Sequence, residues 1–122
     1  PANIHAGGLR YHGAGMIISQ LIKDGYMHGV DIPQSESFKA GMLFARTEGI
    51  IPAPESCHAI AATIREAMKA KEAGEAKVIL FCLSGHGLID MPSYESYING
   101  DLHDYAVSDD EIKKFLATVP EV

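Results

Sequence analysis

The chain has 122 residues, 47% of them hydrophobic and 21% charged, which sets one globular domain with a moderate core and excludes a disordered chain. Its net charge of −6 excludes a partner gripped through a phosphate backbone, so no nucleic acid is expected. No apolar run approaches the about 18 residues that span a bilayer, so no membrane is expected, and the first residues resemble neither a signal nor a transit peptide.

Residues 1–8 enter at once into a glycine-rich, histidine-bearing loop with no leading strand or helix, which suggests a piece of a longer chain. The loop over 4–15 carries Gly7, Gly8, Gly13 and Gly15 with His5, Arg10, Tyr11 and His12 between them, a permissive backbone with reactive side chains. Met16, Ile17, Ile18, Leu21 and Ile22 recur at helical spacing over 16–24, and Gly25 is a natural stop. A short strand over Tyr26–Ile32 is then expected, closed by Pro33. A second helix starts at Ser35 or Ser37 and ends near Arg46, with Phe38, Gly41, Met42 and Ala45 on its core face.

The stretch Thr47–Ala59 organises the chain. Pro52 and Pro54 fix φ and remove two backbone donors, so this segment is stiff and extended, and Glu55 follows where a new helix begins. A carboxylate beside free helix N–H groups either caps the helix or helps hold a ligand. The third helix is expected from about Ser56 to Ala73, with Ile60, Ile64, Ala67 and Met68 buried and Arg65, Glu66, Lys69 and Lys71 facing water. Lys77–Leu83 is almost wholly apolar and reads as a strand buried on both faces, the pattern of a parallel sheet. A short helix over 93–98 and another over 109–118, capped by Ser108, complete the chain. The element order is that of an α/β layered domain, yet two strands are too few for a free-standing parallel sheet, so part of that sheet is expected to be missing.

Ser84, followed by Gly85-His86-Gly87, stands at the carboxyl end of the buried strand, the rim at which open α/β sheets bind ligands. Cys82 and Leu83 precede it, so this is not a Gly-x-Ser-x-Gly elbow and the serine is not read as a nucleophile. Six histidines invite a metal reading, but none makes a His-Glu-x-x-His array, no metal site is expected, and His58 reads as a packing residue. Gly7-Gly8 lacks the Walker and Gly-x-Gly-x-x-Gly patterns, so it is a weak nucleotide signal. Cys57 and Cys82 lack CxxC spacing and are expected to be buried reduced thiols, which suits a cytoplasmic protein.

Three motifs taken together, His5–Gly13 (His-Ala-Gly-Gly-Leu-Arg-Tyr-His-Gly), Thr47–Ala59 and Leu83–Gly87 (Leu-Ser-Gly-His-Gly), resemble the tryptophan synthase beta chain. The Gly-Gly-Leu-Arg-Tyr-His-Gly version is similar to the second, divergent type of that chain. The resemblance covers nearly all of residues 1–122 as a single segment, and about the C-terminal third of a family member. It implies a fold-type-II enzyme dependent on pyridoxal phosphate (PLP) that joins L-serine to indole by β-replacement. It further implies that Ser84 hydrogen-bonds the pyridine nitrogen, with Gly85 beside it, and that Glu55 lies beside the cofactor ring on a wall held by Gly49 and the prolines. Arg10 falls where the ordinary beta chain has an aspartate that meets the amino-acid substrate, with Gly8 and His5 in the same substrate-side motif. The inverted charge suggests a more anionic donor such as O-phosphoserine, or a different nucleophile.

The family's Schiff-base lysine, general-acid/base glutamate and phosphate loop belong to earlier parts of the resembling chains and match nothing here. The chain alone is therefore expected to contribute no catalytic residue and to be inactive, its partners being the N-terminal part of the same enzyme, the substrates and an alpha-type subunit. An exposed sheet edge would favour homo-oligomers. The reading from a different class is a stand-alone binding or assembly module that kept the fold and lost the chemistry.

Overall fold

A computed structural model of the chain describes residues 4–11 and 13–118; His12, part of the glycine-rich motif, lies outside them. A 3-10 turn at Gly7–Leu9 leads into five α-helices: α1 (Met16–Lys23), α2 (Gln34–Glu48), α3 (Pro54–Ala73), α4 (Met91–Asn99) and α5 (Asp109–Leu116). The helices are largely where their periodicity puts them, with shifted ends. α2 runs on to Glu48 because the left-handed turn that stops it falls on Gly49, at φ 70°. α3 starts at Pro54 rather than Ser56, since a proline at the first helical position forfeits only an N–H that has no intrahelical partner. α5 is capped as expected: Ser108 Oγ accepts from the Glu111 N–H while the Glu111 carboxylate accepts from the Ser108 N–H.

The antiparallel pair α2–α3 is the body of the molecule, with α4 laid against α2. Two apolar clusters hold it. Phe38, Cys57 and Tyr94 form the first, flanked by Met42, Ile51, Tyr97 and Leu102. Phe38 sits edge-on to Tyr94, ring centres 5.1 Å apart, and stacks on Tyr97 at 5.8 Å. Ala40, Ile60 and Ala61 form the second, flanked by Ile32, Phe44, Ile64 and Phe81. Outside the cores, the Arg65 guanidinium pairs with both carboxylate oxygens of Glu36 and donates to the Asp31 carbonyl, so Arg65 is half-buried rather than facing water. Ala67 and Met68 are exposed, contrary to the expected stripe. The buried residue of this part of α3 is Ala70.

The expected strands are the main correction. Among the described residues neither 26–32 nor 77–83 forms a ladder, and the one β-bridge is antiparallel, between Pro52 and His86. An extended segment becomes a strand only when a neighbour takes its N–H and C=O groups. The 77–83 run is covered on one face only: Ile79 and Phe81 are half-buried, Phe81 edge-on to Phe44 at 6.0 Å, while Val78 and Leu80 are 102% and 95% exposed. The alternation is that of a strand with one empty side. Cys82, in the same run, is exposed, whereas Cys57 is buried; both thiols are free.

Candidate functional site

Two motifs far apart in sequence are fastened to each other. The Ala53 N–H donates to the Gly85 carbonyl at 2.9 Å, and the Gly87 N–H to the Ile51 carbonyl at 2.8 Å. Residues 51–53 and 85–87 thus lie as a short antiparallel pair that places the Ser84-Gly85 turn beside the start of α3. Glycine is required here for approach: a Cβ at Gly87 would collide with the Pro52 carbonyl and come within 3.0 Å of Ile51 and Tyr94, and one at Gly85 would meet Ala53 at 3.1 Å.

Beneath this pair lies a buried polar relay that sequence reasoning missed. Tyr94 donates its hydroxyl to the Pro52 carbonyl at 2.6 Å. Its single proton being committed, the Cys57 thiol 3.2 Å away must donate to the phenol oxygen. Burial pushes the Tyr94 phenol far above its ordinary range and raises the Cys57 thiol as well, so both stay neutral. Gly41 lies directly opposite, where a Cβ would strike Cys57 Sγ. The available signal was the pair of small residues, Gly41 and Gly87, in otherwise bulky surroundings.

The glycine-rich loop is fastened at three places. Glu55 does not cap its own helix; its Oε1 accepts the N–H of Gly8 at 2.7 Å. The His5 N–H donates to Gln34 Oε1 at 3.3 Å, and His5 Nδ1 meets Ser93 Oγ at 3.2 Å. Gln34 in turn donates to the His103 carbonyl, and Asp104 accepts from the Ser35 N–H at 2.9 Å, which closes the start of α2. The bonds from Ser35 hold the Asp104 carboxyl below its usual range.

Of the residues singled out in the sequence, Glu55 and Gly8 are therefore in direct contact, and Gly85 is one hydrogen bond from the residue preceding Pro54. Ser84 is exposed next to Gly85, and Arg10 is exposed at the end of the 3-10 turn. Gly49 shapes the turn out of α2 and touches none of the others. His58 behaves as a satisfied packing residue, its Nδ1–H donating to the Pro54 carbonyl at 2.8 Å. Among the described residues no three His, Cys, Asp or Glu side chains gather as a metal would require, and no helix is long and apolar enough to cross a membrane.

No family model matches the chain. Curated proteins do. It is 57% identical over 104 residues to tryptophan synthase beta chain 2 of Aquifex aeolicus, covering 85% of this chain and 24% of that protein. It is 60% identical over 102 residues to tryptophan synthase beta chain 2 of Methanosarcina mazei, covering 84% and 23%. The tryptophan synthase beta chain of Thermococcus onnurineus is 57% identical over 102 residues, with coverage of 84% and 23%. The class is thus that of the tryptophan synthase beta chains, as the three motifs suggest. The chain is a segment belonging to that family, and the name beta chain 2 of the first two relatives is that of the divergent type its His5–Gly13 motif resembles. It spans about a quarter of the length of these relatives.

Proposed function

We propose that this chain supplies the pyridine-nitrogen wall and part of the substrate side of a PLP pocket in a β-replacement lyase that makes L-tryptophan from a serine donor and indole. The observation that carries the reading is the fastening of 51–53 to 85–87, which brings Ser84-Gly85 to the start of α3, the same helix whose Glu55 accepts the Gly8 N–H. The residues present fit one edge of the cofactor: Ser84 has an exposed hydroxyl, which can donate or accept, and His86 beside it already accepts the Leu88 N–H at 3.3 Å. In the complete enzyme Ser84 would hold the pyridine nitrogen, with Gly85 and Glu55 beside the ring and Gly49 shaping the wall.

Bound PLP supplies an electron sink for chemistry at the amino acid's Cα and Cβ. A neutral hydroxyl does not keep the ring nitrogen protonated as a carboxylate would, so Ser84 moderates that sink and favours replacement at Cβ over transamination. Arg10, with Gly8 and His5 behind it, would present a guanidinium to the donor and favour an anionic one such as O-phosphoserine. The Schiff-base lysine would come from the rest of the enzyme, so the isolated segment is inactive. The exposed faces of 77–83 would be covered by strands of that remainder, completing the layered fold-type-II sheet. Assembly as a homo-oligomer with an alpha-type subunit, in the cytoplasm, belongs to the same reading and suits the free thiols.

An absorbance titration of PLP into the chain, with and without the remaining part of the enzyme, tests this. A Schiff-base band only in the completed mixture, with serine-dependent shifts, is the expected result. No band in either mixture, with the chain well folded, would move the assignment to a binding or assembly module. In the complete enzyme, Ser84→Asp should raise transamination relative to replacement, and turnover of serine against O-phosphoserine tests Arg10. Equal or better use of plain serine would refute the anionic-donor reading.

A further inference from the structure

We infer that Glu55 is a positioning residue, acting through Gly8 to hold the glycine-rich loop so that Arg10 leaves it at a fixed place. This rests on the reading of Arg10 as a substrate-side group. An acidic residue in a helix's first turn ordinarily serves its own helix end. Glu55 instead reaches a residue 47 positions away in sequence, and its bond to the Gly8 N–H is short, at 2.7 Å. The fit is close as well as polar: a Cβ on Gly8 would lie 3.2 Å from both Cγ and Oε1 of Glu55, tight enough that the side chain would have to give by a few tenths of an ångström.

What Glu55 fixes is carried on to Arg10 within one turn. The Leu9 N–H donates to the Ala6 carbonyl at 3.0 Å and the Arg10 N–H to the Gly7 carbonyl at 3.3 Å, so Gly8 sits inside the turn that Arg10 closes. Upstream, Ala6 is 2% exposed and His5 is held by Gln34 and Ser93, so the entry to the turn is anchored on α2 and α4. Within the turn, among the described residues, the side-chain hydrogen bond is the one from the Gly8 N–H to Glu55. Its own place is rigid, between Pro54 and the buried Ser56 and Cys57. The carboxylate has a second oxygen, so a place beside the cofactor ring and a hold on Gly8 are compatible.

Amide hydrogen exchange on the chain itself, and steady-state kinetics on the complete enzyme, test the inference with Glu55→Ala, Glu55→Gln and Gly8→Ala. Glu55→Ala should speed exchange of the amides of residues 8–10 about tenfold, whereas Glu55→Gln, whose amide oxygen still accepts, should restore most of the protection. Gly8→Ala, which crowds the carboxylate without removing it, should speed the same exchange by a smaller factor. In the complete enzyme, Glu55→Ala should raise KM for the amino-acid donor more than it lowers kcat, with the cofactor band retained. Unaltered exchange in Glu55→Ala would overturn the hold on Gly8. Faster exchange with an unaltered KM would overturn the link to Arg10. A lost cofactor band in Glu55→Ala alone would assign the residue to the cofactor instead. Failure of the underlying enzyme reading would show separately, as no cofactor band in the unsubstituted enzyme.

Discussion

The knot of α2, α3 and α4 and the run 77–83 end in opposite states, although the run is the more apolar in sequence. Phe38, Cys57 and Tyr94 are buried against Met42, Ile51, Tyr97 and Leu102, and even the polar atoms of Tyr94 and Cys57 are satisfied within the chain. In 77–83, Val78 and Leu80 stand in the open and the backbone makes no ladder. α1 shares the second state, with Met16 90% and Ile17 77% exposed. Hydrophobicity thus marks what must be covered, whereas the supply of partners within the chain decides what is covered. The same contrast separates the part of the molecule that covers its own apolar side chains from the part that leaves them open.

Substitutions should follow this division. The largest loss is expected for Phe38→Ala, which empties the centre of the knot at about 3–5 kcal/mol, read by chemical denaturation. Gly41→Ala should cost about 1–3 kcal/mol by driving a methyl into Cys57 and Tyr94; an unchanged midpoint would mean that the two can give way. Tyr94→Phe keeps the ring but strips the Pro52 carbonyl and the Cys57 thiol of their partner, for about 1–3 kcal/mol, with faster exchange of the Ala53 and Gly87 amides.

A smaller effect is set by pH. The hydrogen bond from Arg65 holds the Glu36 carboxyl below its ordinary value, and Ser35 does the same for Asp104. A carboxylate with a depressed folded-state pKa contributes stability that is present above its unfolded value and lost as the pH falls through the folded one. Stability should therefore hold at neutral pH and decline in acid from just below the ordinary carboxylate range, with Glu36→Gln flattening part of the decline. At the bottom of the scale, Leu80→Ser should move the stability of the isolated chain by no more than about 0.5 kcal/mol, since that side chain touches nothing to lose. If strands of a longer chain cover 77–83 as proposed above, the same change made there should cost far more.

The helices were legible because they are local: the spacing of Phe38, Gly41, Met42 and Ala45, or the Ser108-to-Glu111 cap, needs no knowledge of the rest of the fold. The strands were not, because the Lys77–Leu83 composition specifies an environment rather than a hydrogen-bonding partner. Periodicity also misjudged Ala67 and Met68, which are exposed while Ala70, further along the same helix, is buried, because spacing alone does not say which face a neighbour covers. Within the site, the motifs were readable one by one, Ser84-Gly85 as a turn at a rim and Glu55 as a carboxylate at a helix start. Their fastening was not readable: that Gly85 meets Ala53 and Glu55 meets Gly8 depends on pairings 32 and 47 residues apart. Tyr94 gave no sequence sign of being the post under Pro52.

The two prolines that flank Ala53 have a consequence for error as well as for shape. Ala53 alone between them owns an N–H, and that hydrogen goes to the Gly85 carbonyl. Were the 85–87 loop to dock one residue early or late, a ring nitrogen with no hydrogen would stand opposite the carbonyl. Misalignment in either direction is thus rejected by chemistry rather than by bulk. The pairing of 51–53 with 85–87 carries its own alignment key, cut by leaving two teeth out.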